Sequence, residues 1–179
     1  MDANGAILRV AHGAYVLVPE RERRRDPDWR PPLERVALGI AAAEFGANDV
    51  ALVGLSAARV HGVIPRALGI ATVSYPSTRP RDIETLAGTV RTYRRLIDQM
   101  DTVWLRNDLI SGLVTSVEMT MLDLASKAPK WPISPSDRNL AIRLLAARAD
   151  WELVQEIAEQ YRKRSSLNAV HRLLTVENP

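Results

Sequence analysis

Near residue 115 the hydrophobic period of this chain changes, and that change limits the folds open to it. Upstream, apolar residues gather in short runs: "VALVGL" (50–55), "LGIATVSYP" (68–76), "TVRTYRR" (89–95), "TVWLRN" (102–107) and the brief Leu113-Val114. Runs of that length, rich in β-branched residues, read as strands. Downstream, apolar residues recur at helical spacing. In "TSVEMTMLDLASK" the inward stripe is Val117, Met121, Leu124 and Ala125, and Thr115-x-x-Glu118 has capping-box spacing. The expected class is α+β, a small mixed sheet with flanking helices.

The same reading organises the rest of the chain. Ile7–Val10 and Ala14–Val18 flank Ala11-His12-Gly13, a β-hairpin pattern with Gly at the turn. Such a ribbon is marginal alone and must pack on something. Residues 20–31 alternate charge and read as a solvated linker. Pro31-Pro32 then opens a helix carrying Leu33, Val36, Ile40 and Ala43, which Gly46 stops. Ser56 is a plausible N-cap for a short helix from Ala57 to His61, ended by Gly62. Pro129 and Pro132 break the helix that follows residue 115, and 130–136 reads as a linker. Three short amphipathic helices close the chain. The first is opened by Ser136 or Asp137 with Leu140, Leu144 and Leu145 inward; the second is capped by Asp150 with Val154, Ile157 and Tyr161 inward. The third is capped by Ser165 or Ser166, with Val170, Leu173 and Leu174 inward. The expected division is a hairpin over 1–19, a linker over 20–31, an α/β domain over 32–129 and a C-terminal helical extension over 130–179.

Composition excludes several chemistries. With no Cys there is no disulfide, thiol nucleophile or thiolate metal site, and the three histidines His12, His61 and His171 form no H-x-x-x-H pair. No metal site is expected. No apolar run approaches the ~20 residues that span a bilayer, and no signal peptide is visible, so a cytoplasmic protein with no membrane partner is the expectation. The net charge of +3 is too small for a general nucleic-acid coat. Its distribution matters more: Arg79, Arg81, Arg91, Arg94 and Arg95 face only Asp82 and Glu84, the sharpest positive excess in the chain. "TVRTYRR" is therefore read as a strand with one charged face, at an edge or on a binding face.

No phosphate-binding loop, dinucleotide fingerprint, kinase signature or nucleophile elbow is present. Ser56 and His61 lie five apart on one helix and point about 140° away from each other, so a Ser56/His61/Asp123 triad is not expected. Glu118 and Asp123 are also five apart and form no same-face carboxylate pair. Glu118 is explained by capping, and Asp123 reads as a solvated residue on the polar face.

Three segments nevertheless carry a resemblance. "ILRVAHGAYVLVP" looks like the wing and last strand of the winged helix-turn-helix of AbiEi-type antitoxins. "ALVGLSAARVHGVIPRALGIATVSYP" resembles that family's Ser-Ala-x-x-x-His-Gly block, and "VTSVEMTMLDLASKAP" its V-E-x-T-x-L-D-L block. The blocks occur in the family's order over roughly 7–129. The family's recurrent residues fall on Gly13, Tyr15, Pro19, Ser56, Ala57, His61, Gly62, Glu118, Thr120 and Asp123, with Arg59 inside the second block.

The resemblance implies a bacterial toxin–antitoxin module. The antitoxin counters a nucleotidyltransferase-like toxin and represses its own operon through a winged domain. The hairpin would then be the trailing half of that domain, whose helices should lie before Met1. Arg9 and His12 remain to touch phosphates, a contact that positions rather than specifies, so binding of operator DNA is expected to be weakened. Neutralisation by docking would use Arg79, Arg81, Arg91, Arg94 and Arg95 against carboxylates or phosphates. The alternative is covalent modification of the toxin by an atypical serine protein kinase activity. It would need ATP and Mg²⁺, with Arg79, Arg81 and Arg94 on phosphates and Asp123 or Glu118 as metal ligand or base. Outside that alternative no cofactor is expected.

Overall fold

A computed structural model of the chain describes residues 6–26, 28–127 and 131–175. The expected hairpin is present: strands β1 (Ile7–Ala11) and β2 (Ala14–Leu17) pair antiparallel, and Gly13 sits in the left-handed region at φ 73° in the turn. Leu8 and Val10 of β1, with Val18 just past β2, are buried, which fixes the ribbon to the body. The opposite face leaves Tyr15 and Leu17 exposed.

Residues 20–31 depart from the expected loop, because Glu20–Arg25 forms a helical turn and a half, α1. Its glutamates lie in the first turn and Arg23, Arg24 and Arg25 in the last, complementing the helix dipole, and Arg24 pairs with Glu20 one turn away. It buries nothing, so local charge order alone holds it. Helix α2 (Leu33–Phe45) follows, as the spacing predicts, and ends at Gly46 with φ 102°.

The run at 50–55 is not the strand its composition suggests. Val50–Val53 is extended and buried, but the chain turns into helix α3 (Gly54–Val60) at Gly54, whose φ is 51°. Leu52 is a bridge position on both sides, antiparallel to Val73 through the Ala51 carbonyl and the Val53 N–H, and parallel to Val114 through its own backbone bonds to Leu113 and Thr115. This short segment ties together two sheets. The first has β3 (Ile70–Tyr75), β4 (Asp82–Thr85) and β5 (Gly88–Arg94) in the order β3-β5-β4, with β3 and β5 parallel and β4 and β5 antiparallel. The second is the antiparallel pair β6 (Thr102–Arg106) and β7 (Ser111–Thr115). β4 is absent from the sequence reading because "DIET" is too short and polar to carry a period. Its presence makes β5 the central strand rather than an edge. A three-residue 3₁₀ turn, Ile97–Gln99, joins β5 to β6.

Helix α4 (Val117–Ala125) is the centre of the molecule. Every residue from Glu118 to Leu124 is buried, so the helix has no solvent face and its amphipathic stripe is only part of its contact surface. Ser116, not Thr115, is its N-cap, accepting from the Met119 N–H at 3.1 Å. Three helices then pack around it: α5 (Pro135–Ala146), α6 (Trp151–Gln160) and α7 (Arg164–Thr175).

Ser134 caps α5 ahead of Pro135, and the buried set is Ala141, Ile142, Leu145 and Ala146. Leu140 and Leu144, expected inward, are 56% and 43% exposed. The alanines let the helix approach closely, which turns the leucine row outward. Asp150 caps α6 as expected, accepting from Glu152 and Leu153. Helix α7 starts at Arg164, ahead of both expected caps, and Ser166 is buried within it. Pro129 and Lys130 of the expected break and linker lie outside the described residues.

Two apolar cores result. The hairpin, α2 and the β3–β5 sheet share one, α4 and the three C-terminal helices share the other, and α3 contributes to both. Among the described residues no helix is long and apolar enough to cross a membrane.

Candidate functional site

Asp123 is the most informative of the residues singled out by sequence. It is not solvated: it is 3% exposed, and its two carboxylate oxygens are taken by different cations. Oδ2 accepts from Arg95 Nη1 at 2.6 Å, and Oδ1 accepts from Lys163 Nζ at 2.7 Å. Its backbone carbonyl accepts the Trp131 indole N–H at 2.9 Å. A central helix, the end of a sheet and the α6–α7 turn therefore meet at one carboxylate.

Each partner is aimed by its local backbone. Arg95 follows the last residue of β5, and its guanidinium also donates to the Gln99 carbonyl and touches the Met119 sulfur at 3.2 Å. Lys163 is delivered by a tight turn in which Arg162 is left-handed at φ 56°, and the Lys163 N–H reaches back to the Ala158 carbonyl at 2.7 Å. A non-glycine residue there costs about 1–2 kcal/mol, offset by the lysine's bond to the buried carboxylate.

These side chains line a cavity of about 550 Å³, within the range of small-molecule sites. Arg94, Tyr93, Trp131 and Tyr161 complete its polar and aromatic wall. Tyr93 and Trp131 are in ring contact, centroids 5.0 Å apart, and burial raises the Tyr93 hydroxyl above its ordinary value. Three cations and one carboxylate face the cavity, a surplus of two positive charges.

Sequence reasoning found Arg94, Arg95 and Asp123, joining Arg94 and Asp123 only in the enzymatic alternative and not pairing Arg95 with Asp123, and it missed Lys163, Tyr161 and Trp131 as site residues. Lysine is rare in this arginine-rich chain, at Lys127, Lys130 and Lys163 only, and that rarity was the one available signal for Lys163.

The arginine excess of 79–95 does not form one face. Arg91 makes a forked pair with Asp82, directly opposite it in the β4–β5 register, at 2.6–3.2 Å. That pair lowers the Asp82 carboxyl and raises the Arg91 guanidinium from their ordinary values. Arg81 pairs with Glu44 at 3.1 Å, donates to the Tyr75 hydroxyl at 3.1 Å and lies over the Tyr75 ring; that hydroxyl also donates to Glu44. Arg79 and Arg94 alone of the five make no ion pair with a described residue. Arg94 lies opposite Tyr75, at the end where the parallel strands β3 and β5 finish, and Arg79 lies just beyond that end of β3.

The remaining motif residues are structural bonds. Ser56 is not an N-cap, since α3 begins two residues earlier. Its hydroxyl accepts the Thr72 N–H at 2.8 Å while the Thr72 hydroxyl accepts the Ser56 N–H at 3.0 Å, a reciprocal lock between α3 and β3. Arg59 reaches the buried Glu34 at 3.2 Å. His61 Nε2 donates to the Thr115 carbonyl at 2.8 Å, which assigns the proton to that nitrogen. Burial chiefly lowers its pKa, the backbone bond opposing, with Arg148 lowering it further and Glu118 raising it.

Glu118 makes no capping box. It crosses to accept the Asp150 N–H at 3.0 Å, fastening α4 to the start of α6. Ser56, His61 and Asp123 make no bond with one another. On the hairpin, Arg9 and His12 are exposed and hydrogen-bonded to each other at 3.2 Å. Among the described residues no group of three or more His, Asp or Glu is disposed to hold a metal ion. The chain matches no family model, no curated protein and no solved structure.

Proposed function

We propose that this chain is an AbiEi-like antitoxin that neutralises a nucleotidyltransferase-like toxin by docking to it. The observation that carries the reading is the convergence of the three resembling segments on one body. The hairpin is packed on the β3–β5 core, the Ser56 segment is locked to β3 through Thr72 and lies in both cores, and the Asp123 segment is the buried helix that the second core surrounds. Motif residues spread over more than a hundred positions hold one scaffold together, as a recurrent set would.

Docking is favoured over phosphoryl transfer by the state of the two carboxylates. Transfer from ATP needs acidic ligands for Mg²⁺ facing the nucleotide. Glu118 is spent on the Asp150 N–H, and Asp123 is saturated by Arg95 and Lys163, so these residues do not fit a magnesium site. Arg79 and Arg94, at one end of the sheet and without an ion pair to any described residue, are the cations disposed to meet a toxin's carboxylates or bound phosphates. Arg9 and His12 would touch operator phosphates from the hairpin, adding affinity without sequence choice.

The test mixes the chain with the toxin encoded beside it, with and without labelled ATP and Mg²⁺, and follows co-elution and intact mass. Co-elution without a mass change supports docking. A mass increase on the toxin moves the function to the enzymatic alternative. If neither co-elution nor a mass change is seen, the toxin-directed reading falls and the weight passes to DNA binding.

A further inference from the structure

We infer that the cavity between β5, α4 and the α6–α7 turn is a binding site for a nucleoside phosphate. This cavity binds its ligand whether or not the chain is an antitoxin. Arg94, Arg95 and Lys163 line it against the single carboxylate of Asp123. Asp123 orients two of these cations but neutralises only one charge, so the site keeps a surplus that a doubly charged phosphate monoester would cancel. Lys163 spends one N–H on Asp123 and keeps two for an anion, and the Arg94 guanidinium fork is unpaired among the described residues. Phosphate recognition is what such forks do best.

The rest of the wall suits a flat ring. Tyr93, Trp131 and Tyr161 line the same cavity, and aromatic side chains stack on any nucleobase. Val53 and Gln99 complete it, one apolar and one carrying an amide that donates and accepts. The cavity of about 550 Å³ holds a ring and a sugar together with one phosphate, whereas a bare anion would leave the aromatic wall unused. It opens at the carboxyl end of β5, where Arg94 lies opposite Tyr75 of the parallel strand β3.

The experiment is calorimetric titration of the full chain with AMP, UMP, adenosine and inorganic phosphate at low salt, on the native protein and on Arg94→Glu. Arg94 is exposed and makes no ion pair with a described residue, so this variant should melt with the native protein; Arg94→Gln is the second variant should the reversed charge perturb folding. The expected result is that a nucleoside monophosphate binds more tightly than either adenosine or inorganic phosphate. Arg94→Glu should weaken it by about tenfold or more, and Arg94→Gln by less. Salt should weaken binding too. Inorganic phosphate binding as well as AMP would overturn the nucleoside assignment. No binding by any of the four, or AMP binding indifferent to Arg94, would overturn the site.

Discussion

Removing the Asp123 carboxylate should destabilise the fold more than any single surface change, and the structure sets the size. Asp123 receives two charge-assisted bonds, from Arg95 and Lys163, and all three side chains are largely buried. Asp123→Ala deletes both bonds and leaves two partly buried cations facing each other, a loss of about 3–5 kcal/mol. Lys163→Met deletes one bond and leaves the carboxylate paired with Arg95, so about 1.5–3 kcal/mol is expected. In the double variant the lysine contact is already gone, so its cost should stay near that of Asp123→Ala alone. Urea titrations of the four proteins measure this directly. The cycle should return a coupling of about 1.5–3 kcal/mol with unchanged m-values. Additive costs, within about 0.5 kcal/mol, would show that Lys163 and Asp123 do not stabilise each other and refute the reasoning.

Gly54→Ala should cost about 2–4 kcal/mol, since Gly54 is left-handed and a Cβ would stand 2.2 Å from the Trp131 ring; thermal melts read it. Ser56→Ala leaves the buried Thr72 N–H without its acceptor and should cost about 1–3 kcal/mol in the same assay. His61 gives a pH signature. Its folded pKa lies below the unfolded value of 6.5, so the unfolded chain takes up the proton first. Its contribution is therefore complete above 6.5 and is lost as pH falls from there toward the folded pKa. Urea midpoints near pH 7.5 and pH 5.5 should show a drop that His61→Gln reduces. Separating Asp82 from Arg91 should matter little, below about 1 kcal/mol, because both are partly exposed.

The sequence made most elements legible because their periods are local. The hairpin, α2, β3, β5, β6 and α4 follow from patterns a few residues long. Failures came where a distant contact decided the matter. "VALVGL" has strand composition, yet Trp131 packs against Gly54 and the chain turns there into α3. β5 looked like an edge until β4, invisible by pattern, supplied Asp82 opposite Arg91. The site suffered most. Asp123, on a helix read as amphipathic, was expected in water, and only the packing of α5–α7 around α4 buries it beside a lysine forty residues away. Glu118 had a plausible local role, and a partner thirty-two residues on took it instead.

The proposed protection against a toxin requires Arg79 and Arg94, which make no ion pair with a described residue, at one end of the sheet. The direct measurement is survival of cells expressing the neighbouring toxin together with either the native chain or an Arg79→Glu/Arg94→Glu variant whose melting temperature matches the native one. Survival with the native chain, lost with the variant, is the predicted result. Survival undiminished by the variant, or no protection by the native chain, would contradict the account.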